Sequence, residues 1–322
     1  MRSLFALFSL LLLTACQQAD PPTGSWEVAV QGLYSGALSS DGQYAIVGSI
    51  NHGGSLWSTR DKERLFNWNH QSAEYTGLVA AAFSPEGRYA ATAGQRTIVL
   101  WQVSTGEPVW FWTAPGDVLD IDLTPNGDYA LLGLDNHTAV VFDIKNGGIK
   151  RTFNHDGKVR TVALSADGRF ALTGSDDRSA RLWDLQTGQQ LYRWDQDNQL
   201  ITTALSANGR YAFTAAQAGQ AVIWDTTTGA QLAVMPIKKG NYIAGASYTA
   251  ARFSADASQL LTGTNSQLIQ LWSVTDTSQP LRTWQATKKS QWKPTSTTVI
   301  DVAFANASYY ALASNGLAHL LK

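Results

Sequence analysis

The stretch from Val159 to Trp194, VRTVALSADGRFALTGSDDRSARLWDLQTGQQLYRW, contains four short runs in which apolar and polar residues alternate: VRTVAL, RFALTG, ARLWDL and QQLYRW. Alternation of period two places apolar side chains on one face of a strand, which is the pattern of half-buried antiparallel strands. Each junction carries turn residues: Ala166-Asp167-Gly168, Ser175-Asp176-Asp177 and Gln186-Thr187-Gly188. Glycine at two of these corners permits the positive φ that tight turns need. The stretch therefore predicts a four-stranded antiparallel meander. One such sheet has nothing to bury its face against, so it needs copies of itself.

The copies are present. The Asp167-Gly168 pair recurs as Asp41-Gly42, Glu86-Gly87, Asn126-Gly127, Asn208-Gly209, Asp256-Ala257 and Asn306-Ala307, with successive spacings of 45, 40, 41, 41, 48 and 50 residues. Trp183 recurs as Trp57, Trp101, Phe142, Trp224 and Trp272, with Leu321 at the matching place in the last copy. A period of roughly 40 residues with four strands is the mark of a propeller blade, and seven anchors predict seven blades. The last copy, VIDVAFA, YYALAS and GLAHLLK, has only three strands. The alternating run Ser25–Val30, SWEVAV, supplies the fourth and removes two open sheet edges.

The dipeptides Trp183-Asp184 and Trp224-Asp225, with Ser165-Ala-Asp-Gly and Thr173-Gly-Ser-Asp-Asp, resemble the WD-repeat β-propeller family from about Gly24 to the C-terminus. The resemblance implies an all-β, seven-bladed propeller of four-stranded antiparallel blades, closed by the N-terminal strand. The family's structural tetrad maps onto His155, Thr173, Asp177 and Trp183; the other copies lack its Asp or its His. The resemblance also implies a non-catalytic protein-interaction scaffold. The segment WDLQTGQQLYRW is similar to the tryptophan-docking repeat of quinone-dependent dehydrogenases too, so a cofactor-binding or hydrolytic propeller using the channel mouth is the alternative.

Composition agrees with one large β domain. Of 322 residues only 15% are charged and 11% are aromatic, including 12 Trp, flat filler for sheets stacked face to face. A net charge of −1 gives no basic excess for nucleic acid. Residues 1–15 read as a signal peptide: Arg2 precedes the apolar run Leu4–Leu13, too short to span a bilayer. Leu13-Thr14-Ala15-Cys16 resembles the lipobox of bacterial lipoproteins, which implies cleavage before Cys16 and its lipidation. Cys16 is the sole cysteine, so no disulfide competes for it. Gln17 at the next position implies the outer membrane, periplasmic face. Residues 16–24 then form the lipidated Cys and a short polar tether, and 25–322 the propeller, expected to be monomeric.

Motifs for catalysis are missing. The five histidines fall in different copies without metal-ligand spacing, and there is neither a phosphate-binding glycine loop nor a nucleophile elbow, so no metal or cofactor is expected. Aligned inner strands place Ser35, Ala80, Asp120, Thr161, Thr202, Ala250 and Asp301 toward the channel, where Asp120 and Asp301 read as solvated carboxylates or, with low weight, a cation site. The outer-strand aromatics Trp68, Trp112, Phe153 and Trp194 read as packing between blades. Two loops are long, 236–249 and 285–298. They carry Lys238, Lys239, Tyr242, Lys288, Lys289, Trp292 and Lys293 and no acidic residue. On one face of a propeller they form an expected binding patch, with Tyr242 and Trp292 as anchors and the lysines steering an acidic partner of the cell envelope.

Overall fold

In the computed structural model, residues 19–71, 74–237, 245–289 and 297–322 are described, and every regular element among them is a β-strand. The strands form seven four-stranded antiparallel sheets arranged as propeller blades. Blades one to six span 33–67, 80–113, 118–154, 159–195, 200–234 and 248–285. Blade seven combines Val299–Ala305, Ser308–Ala313 and Leu317–Leu321 with Gly24–Glu27 as its outer strand, paired Gly24↔Leu320 through Glu27↔Leu317. The closing strand is shorter than the run 25–30: Val28 and Ala29 leave the ladder and donate their N–H groups to the Gly316 carbonyl.

The recurrent turn pair has a local cause. In blade four, the Ser165 hydroxyl donates to Asp167 at 2.6 Å and accepts from the Phe170 N–H at 2.9 Å, while Gly168 adopts φ +70°. Ser206-Asn208 and Ser254-Asp256 repeat the same bond in blades five and six. These side chains satisfy backbone groups that a tight turn leaves unpaired.

The core is a ring of slabs, each shared between neighbouring blades. In most slabs the outer-strand aromatic of one blade lies against the next blade's residue at the Trp183 position; between blades five and six Met235 takes its place. Trp68 stacks on Trp101 with centroids 5.2 Å apart, Phe153 on Trp183 at 4.5 Å and Trp194 on Trp224 at 4.8 Å. The buried indole N–H groups of Trp68, Trp112, Trp194 and Trp284 donate to carbonyls of Gly106, Ile144, Gly229 and Lys322 in the following blade. Gly229 shows why that corner takes glycine: φ is +73°, and a Cβ would lie 2.4 Å from the Tyr192 ring.

In blade four, the Thr173 hydroxyl sits 2.8 Å from His155 Nε2 and accepts from Trp183 Nε1 at 2.9 Å, while His155 Nδ1 lies 3.1 Å from Asp177. Burial lowers the His155 pKa more than Asp177 raises it, so the imidazole is held neutral. Burial also pushes the Asp177 carboxyl up, but bonds from His155, Ser179 and the Asp156 N–H outweigh it and hold it well below the carboxylate range. Parts of this chain recur elsewhere. His70 bonds Thr92 and Thr97 in blade two, and Gln196 bonds Thr214 in blade five. Trp101, Trp224 and Trp272 donate to Thr92, Thr214 and Thr262.

The tether departs from expectation. Asp20 lies parallel to Trp284, its N–H donating to Thr283 and its carbonyl accepting from the Gln285 N–H, both at 2.9 Å. The Thr23 N–H reaches Leu320. Residues 20–23 are therefore bound along the edges of blades six and seven, because blade six otherwise presents an unpaired outer edge.

Two predictions follow from this packing. Thr173→Val leaves the Trp183 donor and the His155 Nε2 acceptor buried without a partner and should cost on the order of 2–3 kcal/mol, whereas Thr173→Ser should be nearly neutral, as read by thermal unfolding of both variants. Deleting residues 24–30 opens blade seven and should lower Tm by on the order of 10 °C or more; an unchanged melting curve would refute the closure.

Candidate functional site

Ser35, Ala80, Asp120, Thr161, Thr202, Ala250 and Asp301 occupy one register position, two residues past the start of the inner ladder in six blades and at its start in blade two. Six of the seven inner strands have a bulge just before it. The expectation that Asp120 and Asp301 stand as solvated channel carboxylates is corrected: both point at the neighbouring inner strand. Asp120 accepts from the Val162 N–H at 2.8 Å and from its own neighbour Ile121. Asp301 accepts from the Leu38 N–H at 2.7 Å and from Arg252 at 3.0 Å. The polar members behave alike. Ser35 donates to the Leu78 carbonyl, Thr202 to Tyr248, and Thr161 accepts from the Thr203 N–H.

Sequence reading missed two channel residues one step further along the same face. Asp122 accepts from the Leu164 N–H at 2.8 Å, repeating the Asp120 bond, and Arg252 donates to the Leu38 carbonyl as well as to Asp301. Their counterparts in the other blades are Ala37, Ala82, Ala163, Ala204 and Ala303, so a charge amid alanines was the available signal. Burial pushes the Asp120 carboxyl up to about 7 and Asp122 up to about 6, against amide bonds that favour the anion. With their lone pairs committed to backbone amides, these carboxylates act as staples between blades.

The other candidate residues fall in the long loops. Lys238, Lys239, Tyr242, Trp292 and Lys293 lie outside the described residues. Lys288 is exposed. Lys289 is turned back into the molecule. It pairs with Glu27 at 3.0 Å and its ammonium donates to the Ala29 and Val30 carbonyls, so it holds the closing segment and offers little charge to a partner. The roots of the two loops nevertheless meet. Gly245, Ser247 and Thr249 from one, and Thr298 from the other, line a single cleft of about 450 Å³ together with Gln199, Gln217, Asn265 and Arg160. This cleft lies where inner strands begin, at the channel mouth, and its lining mixes amide and hydroxyl groups and one arginine with Ile201 and Ala218. Arg160 is paired with Asp176.

The channel carboxylates carry a pH signature. A carboxyl whose pKa is higher folded than unfolded keeps its proton in the native state while the unfolded chain releases it. The stability these groups contribute is full below about pH 4 and is lost as pH rises through about 7. Asp120→Asn retains an acceptor for Val162 and cannot ionise. Its Tm relative to the native protein should therefore rise between pH 4 and 8 in differential scanning calorimetry; a pH-independent difference would refute the assignment.

Two segments, residues 68–102 and 147–184, match the model of the WD domain, G-beta repeat, and support a WD-repeat β-propeller. Each runs from the outer edge of one blade to the tryptophan of the next, and these are the two repeats that hold a complete His–Thr–Trp chain. No curated protein matches the chain.

Proposed function

We propose that the protein is a membrane-anchored, non-catalytic interaction scaffold of the bacterial cell envelope, binding an acidic protein partner through the sector of its two long loops. WD-repeat propellers are commonly protein-interaction scaffolds, and typically not enzymes. The observation that carries the sector is the shared cleft: Ser247 and Thr298, at the roots of loops 236–249 and 285–298, line one depression at the channel mouth. Loops rooted this close act on one partner. Their side chains Lys238, Lys239, Tyr242, Lys288, Trp292 and Lys293 supply aromatic anchors and positive potential; Lys289 serves the closure instead. The quinone-type or hydrolytic alternative receives no support from the channel carboxylates, which are spent on backbone amides.

For location we propose lipidation at Cys16 and a periplasmic propeller on the outer membrane. Asp20 is bound to blade six, so it is four Cα–Cα steps from Cys16, a span of at most about 14 Å. A lipid at Cys16 would thus hold the rim of blade six against the membrane. Cys16→Ser should abolish incorporation of labelled fatty acid; incorporation that persists would sink the proposal.

Crosslinking on intact envelopes tests the binding sector. Trp292→Ala should remove crosslinks that Trp110→Ala retains, because truncating an aromatic anchor costs about 2 kcal/mol or more of binding. Trp110 is the apt control, being an exposed outer-strand aromatic. Crosslinks that survive replacement of both loops by short Gly-Ser turns would place the binding face elsewhere.

A further inference from the structure

The groove between blades seven and one differs in its fill from those entering blades two, four and five. In blades two, four and five, the second-strand threonine (Thr92, Thr173 or Thr214) accepts from the tryptophan indole and meets a polar residue, His70, His155 or Gln196, descending from the preceding blade. In blade one these places hold Val47 and Val28. The Trp57 indole has no acceptor there and bonds Ser55 at 2.9 Å instead. Ser55 is itself the smallest residue at its position, where other blades carry Val99, Val140, Arg181, Val222, Gln270 and His319. Three substitutions toward smaller or apolar side chains leave a cleft of about 330 Å³ bordered by Val28, Val30, Ser49 and Trp57.

Ser49 lines this cleft, is 6% exposed, and its hydroxyl has no hydrogen-bond partner. In blade four the equivalent Ser175 donates to the Gly157 carbonyl, a bond that Ser49 does not make. A buried hydroxyl without a partner is costly and is commonly completed by a ligand or water.

We propose that this groove is a recognition pocket for an extended segment of a partner protein, taking an apolar side chain against Trp57 and an adjacent carboxylate at Arg64, with Ser49 bonding the segment's backbone. Charge complementarity selects the carboxylate. Arg64 lies at the cleft with its guanidinium 5.4 Å from the Trp57 ring centre and has no carboxylate partner among the described residues. The cleft's own carboxylate, Glu27, is neutralised by Lys289. The rim selects a polypeptide over a small metabolite. Val30 and Tyr75 are 64% and 70% exposed, Ile50 is also exposed, and His52 at the cleft packs edge-on against Tyr75 at 5.8 Å. A metabolite filling the cleft would leave that apolar rim in water, whereas a chain crossing it covers the rim. This pocket involves neither long loop and stands or falls independently of them.

The test uses the full-length protein and fluorescein-labelled, end-blocked hexapeptides with central Leu-Glu, Leu-Lys or Gly-Glu pairs, read by fluorescence anisotropy. The Leu-Glu peptide should bind saturably and at least ten-fold more tightly than either control. Ser55→Leu fills the cleft with a side chain of a size that other blades accept at this position. It removes the Trp57 indole's acceptor and so should lower Tm somewhat, but it should weaken binding at least ten-fold while the variant stays folded by circular dichroism, and Arg64→Gln should erase the preference for Glu over Lys. The proposal is overturned if Leu-Glu shows no saturable binding up to millimolar concentration, or if Ser55→Leu binds as the native protein does. It is also overturned if free N-acetylglutamate displaces the peptide at equal concentration, which would make the cleft a metabolite site.

Discussion

Seven sheets set side by side around an axis leave seven inner strands whose outward edges cannot join in one continuous ladder. Each inner strand pairs with its own blade on one side and faces the next inner strand on the other, with backbone groups that a β-ladder would normally satisfy. The chain meets this constraint with side chains at one register position. Asp120, Thr161 and Asp301 accept N–H groups of the following blade, and Ser35 and Thr202 donate to its carbonyls. The bulge before that position in most blades re-aims the side chain toward its neighbour, as bulges do in general. Everything outward of this ring, including the stacked aromatics, depends on the blades being held at that spacing.

Carboxylates are costly in such a position, and the raised pKa values of Asp120 and Asp122 record the cost. They are accommodated because each receives two backbone N–H bonds, one from its own strand and one from the next blade. Asp301 differs in having Arg252 beside it, which bonds both Asp301 and the Leu38 carbonyl. That arginine joins blades six, seven and one, where the chain's two ends meet and continuous covalent connection is lacking.

The blade count, the closing strand and the packing role of Trp68, Phe153 and Trp194 were legible in the sequence, because turn pairs and tryptophans recur at fixed register. The channel was misread for a definite reason. Alternation tells which face of a strand a residue occupies, but not whether that face looks into solvent or across at a neighbouring edge. Asp120 and Asp301 therefore read as solvated when they are hydrogen-bonded staples. The partial tetrads were hidden differently. Gln196 replaces histidine and Thr97 replaces aspartate, so a search for identical residues finds one tetrad where hydrogen bonding builds several related chains. Lys289 resembled its loop neighbours by charge alone; only the fold shows Glu27 and two carbonyls waiting for it.

The closure and the blade-one groove have a common physical origin. Where a blade is continuous, the segment entering the next blade is positioned by its own strand and can contribute a polar residue such as His155. At the junction of the termini, that segment is Val28–Val30, positioned by Gly316 and by the Lys289 ammonium. An apolar Val28 facing Val47 cannot rebuild the missing network. The contact that closes the ring thus borders the open groove, so loosening the Lys289–Glu27 pair would act on both the seam and the cleft.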